Sequence, residues 1–233
     1  MRIAKFIASS GLCSRRQAEK LIEEGKVVVD GKLITSPALN IDESNIIEVS
    51  GKKISQIPEA KLWIYYKPVG LITTHSDPQN RPTIFQALEK KLPRVISVGR
   101  LDINSEGLLL LTNNGELSRY FESPANKIER VYKVRVFGKA RPIDLQGKNI
   151  TIDGINYAPK SIKLTQKDEA NSWYEVVLTE GKNREIRKIF EHFGFEVRRL
   201  IRTSFGKYSL GDMKEGECRE VTIDENYRWQ AQK

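Results

Sequence analysis

The chain has 233 residues, and 39 Lys plus Arg stand against 30 Asp plus Glu, a formal net charge of +9 that favours an anionic partner, either nucleic acid or an acidic membrane surface. Two distant cysteines, Cys13 and Cys218, with only His75 and His192 besides, cannot assemble a zinc or redox cluster of familiar spacing. No stretch approaches the roughly 18 apolar residues of a membrane span, and the apolar start at Met1–Ala8 is too short for a secretory signal. The expectation is a soluble, cytoplasmic protein with reduced, inert thiols, built as one large domain or two small ones.

Ile3, Phe6 and Ile7 fall at i, i+3 and i+4 and predict a short helix ending near Ser10-Gly11. Ser14 then caps a second helix: Gln17 completes a capping box, Ala18, Leu21 and Ile22 supply the buried face, and Gly25 closes it. Val27–Val29, Asp30-Gly31 and Lys32–Ile34 read as a hairpin with a tight primed turn. Lys5, Arg15, Arg16 and Lys20 give this small module a basic side, which on its own is no more than a solvated helix face.

Residues 2–50 resemble the S4 RNA-binding domain. The likeness is carried by Ile3–Ile7, Gly11–Ala18, Gly25-Lys26-Val27 and Val29-Asp30-Gly31, with Ile3 where leucine is commoner. The resemblance implies RNA contacts from Lys5, Arg15 and Arg16. Residues 50–60 have the composition of a linker, so the expected division is 1–58 for this domain and 61–233 for a second, larger one.

Leu62–Lys67 is an aromatic-rich strand turned by Pro68-Val69-Gly70 into Leu71–Thr74, and Lys67 reads either as an ordinary surface lysine or as one presented from the strand end. After a polar loop, Thr83 starts a helix through Phe85, Leu88 and Leu92. Gly99–Gly115 follows: a polar turn with one carboxylate, Asp102, directly before Leu108–Leu111, a strand buried on both faces. Asp102, with Arg100 two residues ahead, fits a positioned nucleophile or base and fits a turn aspartate too. A calcium loop is excluded, because Asn113 stands where the bidentate glutamate is needed.

Arg130–Val136 alternates as a half-buried strand whose one face carries Arg130, Tyr132 and Val134; a tyrosine there serves packing as readily as chemistry. Residues 138–172 show only short β-like pieces. Trp173–Thr179 is a strand leading into Glu180–Asn183, which is not a phosphate loop. In the helix Arg184–Phe193, Ile186, Ile189, Phe190 and Phe193 form the apolar stripe and leave Arg184, Arg187 and Lys188 on other faces. Between Lys182 and Lys207 eight basic residues face three acids, so this stretch holds +5 of the total. That is the footprint of a phosphate-backbone contact.

Lys67–Gly70, Gly99–Gly115, Arg130–Tyr132 and Leu178–Arg187, in this order, resemble the four motifs of bacterial ribosomal-RNA pseudouridine synthases of the RsuA/RluB type. Ser172–Tyr174 and Arg199–Arg202 look most like the RluB enzymes that act on 23S RNA. Ser105 stands where threonine is usual, and Lys182 where arginine is common.

The resemblance implies an α+β fold, with the small S4 domain followed by a domain around a mixed, mainly antiparallel sheet. It implies isomerisation of uridine to pseudouridine in ribosomal RNA, free or within an assembly intermediate, without metal or cofactor. Asp102 would be nucleophile or base, Arg187 its partner, and Tyr132 the ring stacked on the everted uracil. Lys67, Arg100, Lys182 and Arg184 would hold RNA. A monomer is expected. Two other readings compete: a non-catalytic S4-type assembly factor, and a helix-turn-helix regulator on residues 2–24, against which the immediate hairpin argues.

Overall fold

The computed structural model describes residues 1–42, 44–54, 56–138, 140–143, 145 and 148–231, with backbone only for 229–231. The first unit holds α1 (Ile3–Ser9), α2 (Arg15–Glu23), β1 (Val27–Val29), β2 (Lys32–Ile34), β3 (Ile47–Val49) and β4 (Lys52–Ile54). Both halves of the Ser14–Gln17 capping box form. The Asp30-Gly31 turn has φ of 50° and 77°, the primed geometry that matches strand twist. Ile3, Ile7, Ala18, Ile22, Val27 and Ile47 meet in one small core.

The expected linker over 50–60 is shorter than its composition suggests. Ser50-Gly51 repeats the positive-φ turn, at 50° and 76°, and folds β4 back on β3 with Ile54 against the core. The sheet order is β2-β1-β3-β4.

The second unit continues with β5 (Leu62–Lys67), α3 (Ile84–Leu88), β6 (Ile96–Ser97), β7 (Glu106–Thr112), α4 (Gly115–Glu122), β8 (Arg130–Phe137), β9 (Ile150–Ile152), β10 (Ile155–Tyr157), β11 (Ser161–Gln166), β12 (Asn171–Leu178), α5 (Glu185–His192), β13 (Glu196–Phe205), β14 (Tyr208–Ser209), β15 (Cys218–Val221) and α6 (Glu225–Ala231). The large sheet runs β11-β12-β8-β13-β7-β5-β15, with β14 on β13 and β6 on β7. All its pairings are antiparallel except β7 with β13, so the mixed, mainly antiparallel α+β fold is the one observed.

β7 lies inside this sheet with all seven residues buried, as its uninterrupted apolar run requires. Leu109 and Leu111 join Tyr132, Val134, Ile186 and Phe190 on the α3/α5 side, while Leu108 and Leu110 join Leu117, Phe121 and Tyr227 on the α4/α6 side. α3 is shorter than its apolar spacing suggests: Lys91 and Leu92 both donate their N–H to Leu88 O, and the chain leaves the helix before Pro93. Leu71–Thr74 makes only one parallel bridge, Ile72 to Thr83.

At Gly107 the parallel neighbour comes very close. Its φ is +107°, and a Cβ there would lie 2.3 Å from Arg202 O and 2.7 Å from Arg202 N. Only glycine fits, and the approach ties the start of β7 to β13.

Candidate active site

Asp102 lies on the turn immediately before β7, and the peptide backbone of that turn is fixed at every carbonyl from 101 to 105. Thr73 Oγ1 donates to Leu101 O (3.0 Å), Ser105 N (3.0 Å) and Lys67 Nζ (3.2 Å) to Asp102 O, and Gly70 N to Ile103 O (2.9 Å). Arg187 Nη2 donates to Asn104 O (2.8 Å) and Lys67 Nζ to Ser105 O (2.8 Å). The Asp102 carboxylate, by contrast, accepts no hydrogen bond among the described residues, and its side chain is 36% exposed. The main chain holds this aspartate and leaves its oxygens available.

The cation nearest to it is Arg184, whose Nη1 lies 4.0 Å from Asp102 Oδ2. Arg184 precedes α5 with φ of 52°, a left-handed conformation that is uncommon outside glycine and is found at functional turns. Arg187, expected to pair with Asp102, meets the turn differently: its two Nη groups donate to the Asn104 and Val197 carbonyls. One helical turn separates the two arginines, and the second is drawn beneath the turn while the first reaches the carboxylate. Burial pushes the Arg187 guanidinium below its ordinary value, Arg184 adds to that, and Asp102 opposes it.

Lys67, expected at a strand end in contact with RNA, is fully buried, and its Nζ donates to the carbonyls of Pro68, Asp102 and Ser105. It is a brace for the turn rather than an exposed cation. Burial pushes its ammonium down to about 8, against the pull of Asp102 and Glu106.

A cleft of about 660 Å³ opens over Asp102. Exposed Arg81, Arg100, Lys182 and Arg184 stand at its rim, and buried Tyr132, Arg130, Arg202, Leu178, Leu200 and Phe205 line it deeper down. Tyr132 shares its β8 face with Arg130 and Val134, as the alternation predicts. The Lys182 ammonium is engaged by Glu180 Oε2 and Asn156 O, both at 2.5 Å. Lys5, Arg15 and Arg16 lie outside the cleft, on the small unit: Lys5 pairs with Glu116 of α4 at 2.7 Å, Arg15 with Glu19 at 3.4 Å, and Arg16 is exposed.

Sequence reasoning passed over Arg130, Arg202, Thr73 and Glu185. Arg130 had a signal, being in register with Tyr132; Arg202 had none, because irregularities at 197/199 and 202/204 break the β13 alternation. Glu185 is buried, and its Oε2 accepts from Lys182 N at 3.2 Å. Burial and then the charge of Glu180 push its carboxyl up to about 8, toward the protonated form. Among the described residues, no three His, Cys, Asp or Glu side chains are placed to hold a metal ion.

An unoccupied carboxylate on a rigid turn, beside a guanidinium and below a cationic rim, can attack an electrophilic sugar carbon or remove a proton from a ligand of an anionic polymer. The comparisons agree with that chemistry. Residues 61–192 match the family described as RNA pseudouridylate synthase, and residues 1–47 match the S4 domain. An RNA pseudouridine synthase of Rickettsia felis, itself uncharacterised, is 59% identical over 94% of this chain and 96% of its own length. Ribosomal large subunit pseudouridine synthase B of Salmonella typhi is 40% identical over 90% of this chain and 75% of its own. A crystal structure of a pseudouridylate synthase superposes with a TM-score of 0.66 at 28% identity, covering 95% of this chain and 96% of that one. With the four-motif site in place, the chain belongs to the RNA pseudouridylate synthase family of isomerases and carries an S4 domain ahead of its catalytic fold.

Proposed function

We propose that this protein isomerises a specific uridine of large-subunit ribosomal RNA to pseudouridine, with residues 1–58 adding RNA affinity and 61–233 performing the reaction. The large-subunit assignment is supported by the 40% identity to an enzyme named for that subunit. The observation that carries the catalytic reading is the Asp102 carboxylate, free of hydrogen bonds among the described residues, on a turn whose five carbonyls are held.

The reaction breaks the N-glycosidic bond, rotates the base and rejoins it through C5. It needs an everted nucleotide, at a cost of about a few kcal/mol that cationic contacts offset. Arg100 and Arg184 at the rim fit contacts to the phosphates, and Arg15 and Arg16 on α2 extend them. Tyr132 fits a stacking partner for the uracil and a group near its C5 proton. Asp102 acts as nucleophile at the sugar or as base, with the Arg184 guanidinium 4.0 Å from its carboxylate. The helix Arg187 sits on keeps the turn in register through Asn104 O. The protein works as a cytoplasmic monomer on ribosomal RNA or a ribosomal assembly intermediate.

Pseudouridine mapping in ribosomal RNA from cells with and without the gene tests this. One large-subunit pseudouridine should vanish with the gene and return with the wild-type copy but not with Asp102→Asn. An unchanged map in both subunits would refute the proposal.

A further inference from the structure

Deep in the cleft lie two guanidiniums with no close ion pair among the described residues. Arg130 is 5% exposed and Arg202 3% exposed, and among the described residues neither has a carboxylate within 4.0 Å. They lie over the same ring: Cζ of Arg130 is 4.5 Å and Cζ of Arg202 5.0 Å from the centre of Phe205. Arg130 donates to the carbonyls of Phe121, Ile128 and Thr179, whereas Arg202 donates through Nε to Leu108 O at 2.6 Å and its buried Nη2 has no partner among the described residues. Glu122 and Glu185 act on Arg130 only from beyond 4.0 Å, so two buried like charges at one ring have no close counter-ion among the described residues and are better matched when an anion arrives from outside.

Two anions of an RNA could do this. Phosphates are strongly hydrated and meet exposed cations first, which the rim supplies in Arg100 and Arg184. The deeper lining is different, because buried Leu101, Leu178, Leu200 and Tyr132 share it with the two guanidiniums and offer apolar surface to a ring. The uracil ring becomes anionic only during the reaction. When N1–C1′ breaks, its electron pair goes to N1 and spreads over O2 and O4. The sugar is meanwhile taken up by the Asp102 carboxylate or loses a proton to it. C5 then bonds to C1′, Asp102 is released or returns its proton, the C5 proton leaves to a base and N1 gains one. On either route the detached ring carries one negative charge between the two bond events.

Resting on the function proposed above, we propose that Arg202, with Arg130 at the same Phe205 ring, is the electrostatic seat for the negative charge of the detached uracil ring. Such preorganised donors stabilise a transition state because they need not reorient when charge develops. Arg202 is then a catalytic residue that the sequence motifs do not single out.

The test compares wild type, Arg202→Met and Arg202→Lys in single turnover on large-subunit transcripts made with uridine or with 5-fluorouridine, following loss of the N-glycoside in digests. Fluorine stabilises the ring anion by itself. Arg202→Met should slow the uridine reaction by about 10²-fold, slow the 5-fluorouridine reaction clearly less, and leave RNA affinity within about twofold; Arg202→Lys should regain part of the rate. Equal losses on the two transcripts, or a loss confined to RNA affinity as for a phosphate anchor, would overturn the proposal. A second measurement needs neither turnover nor a folded variant: wild-type protein should bind 5-nitrouracil, followed by absorbance, more tightly as pH rises through the ionisation of that ring. Binding no tighter for the ionised ring than for neutral uracil overturns it. Absence of pseudouridine with wild type would instead strike the proposed function, and the 5-nitrouracil titration would still judge the floor.

Discussion

Replacing Gly107 by alanine should damage this protein far more than its chemistry suggests. The added Cβ would lie 2.3 Å from Arg202 O, 2.7 Å from its N and 3.0 Å from its C, so β7 and β13 must separate by close to an ångström. The φ of +107° strains any residue with a side chain by about 1–3 kcal/mol. Separation also stretches the charged bond from Arg202 Nε to Leu108 O, now 2.6 Å, which contributes about 1.5–3 kcal/mol. Together the loss is about 2.5–6 kcal/mol, a large share of the 5–15 kcal/mol typical of a folded domain. For a chain of this size, each kcal/mol lowers Tm by about 2–4 °C. Gly115→Ala is the control, since nothing lies within 4 Å of its Cβ and it opens α4 at an ordinary φ. Urea and thermal unfolding should show Gly107→Ala well below wild type and Gly115→Ala at or slightly above it. A Gly107→Ala loss under about 1 kcal/mol would refute the strand-contact reasoning.

Asp102→Asn should change stability by less than about 1 kcal/mol, because the carboxylate has no hydrogen bond among the described residues and its cation is 4.0 Å away, while pseudouridine formation disappears; Tm and turnover measured on one preparation separate the two. RNA affinity should fall steeply with salt, with a slope near −3 in log K against log salt if Arg15, Arg16, Arg100 and Arg184 each neutralise one phosphate at about −0.7; a flat titration would count against backbone recognition. Glu185→Gln tests the buried carboxyl. Its native value near 8 lies above the 4.5 of an ordinary glutamate, so the native state holds the proton more tightly and wild-type stability falls as pH rises from 4.5 to 8. The variant lacks this loss. Its Tm should gain on wild type across that window and run parallel above it, and a constant gap would show that Glu185 does not titrate there.

Local signals made much of the fold legible. The Ser14–Gln17 capping box, Thr83 at the head of its helix, the Asp30-Gly31 turn, the alternation in β8 and the unbroken leucines of β7 each act within a few residues and override little. What the sequence hid depends on distant partners. Lys67 looks like any strand-end lysine until Asp102 and Ser105 bring their carbonyls to it. The choice between Arg184 and Arg187 turns on the left-handed residue before α5, which no periodicity reveals. Arg202 sits in a strand whose bulges scramble its facing. Ser50-Gly51 carried a readable turn, but the polar composition around it resembled a linker more than a hairpin.

The turn before β7 is anchored by its peptide oxygens, and the side chains of Ile103 and Asn104 take no part in that anchoring. Their identity can therefore drift without displacing the neighbouring acid. The place of the reactive group is thus written in the main chain, and a substitution at either position leaves every anchoring acceptor where it is.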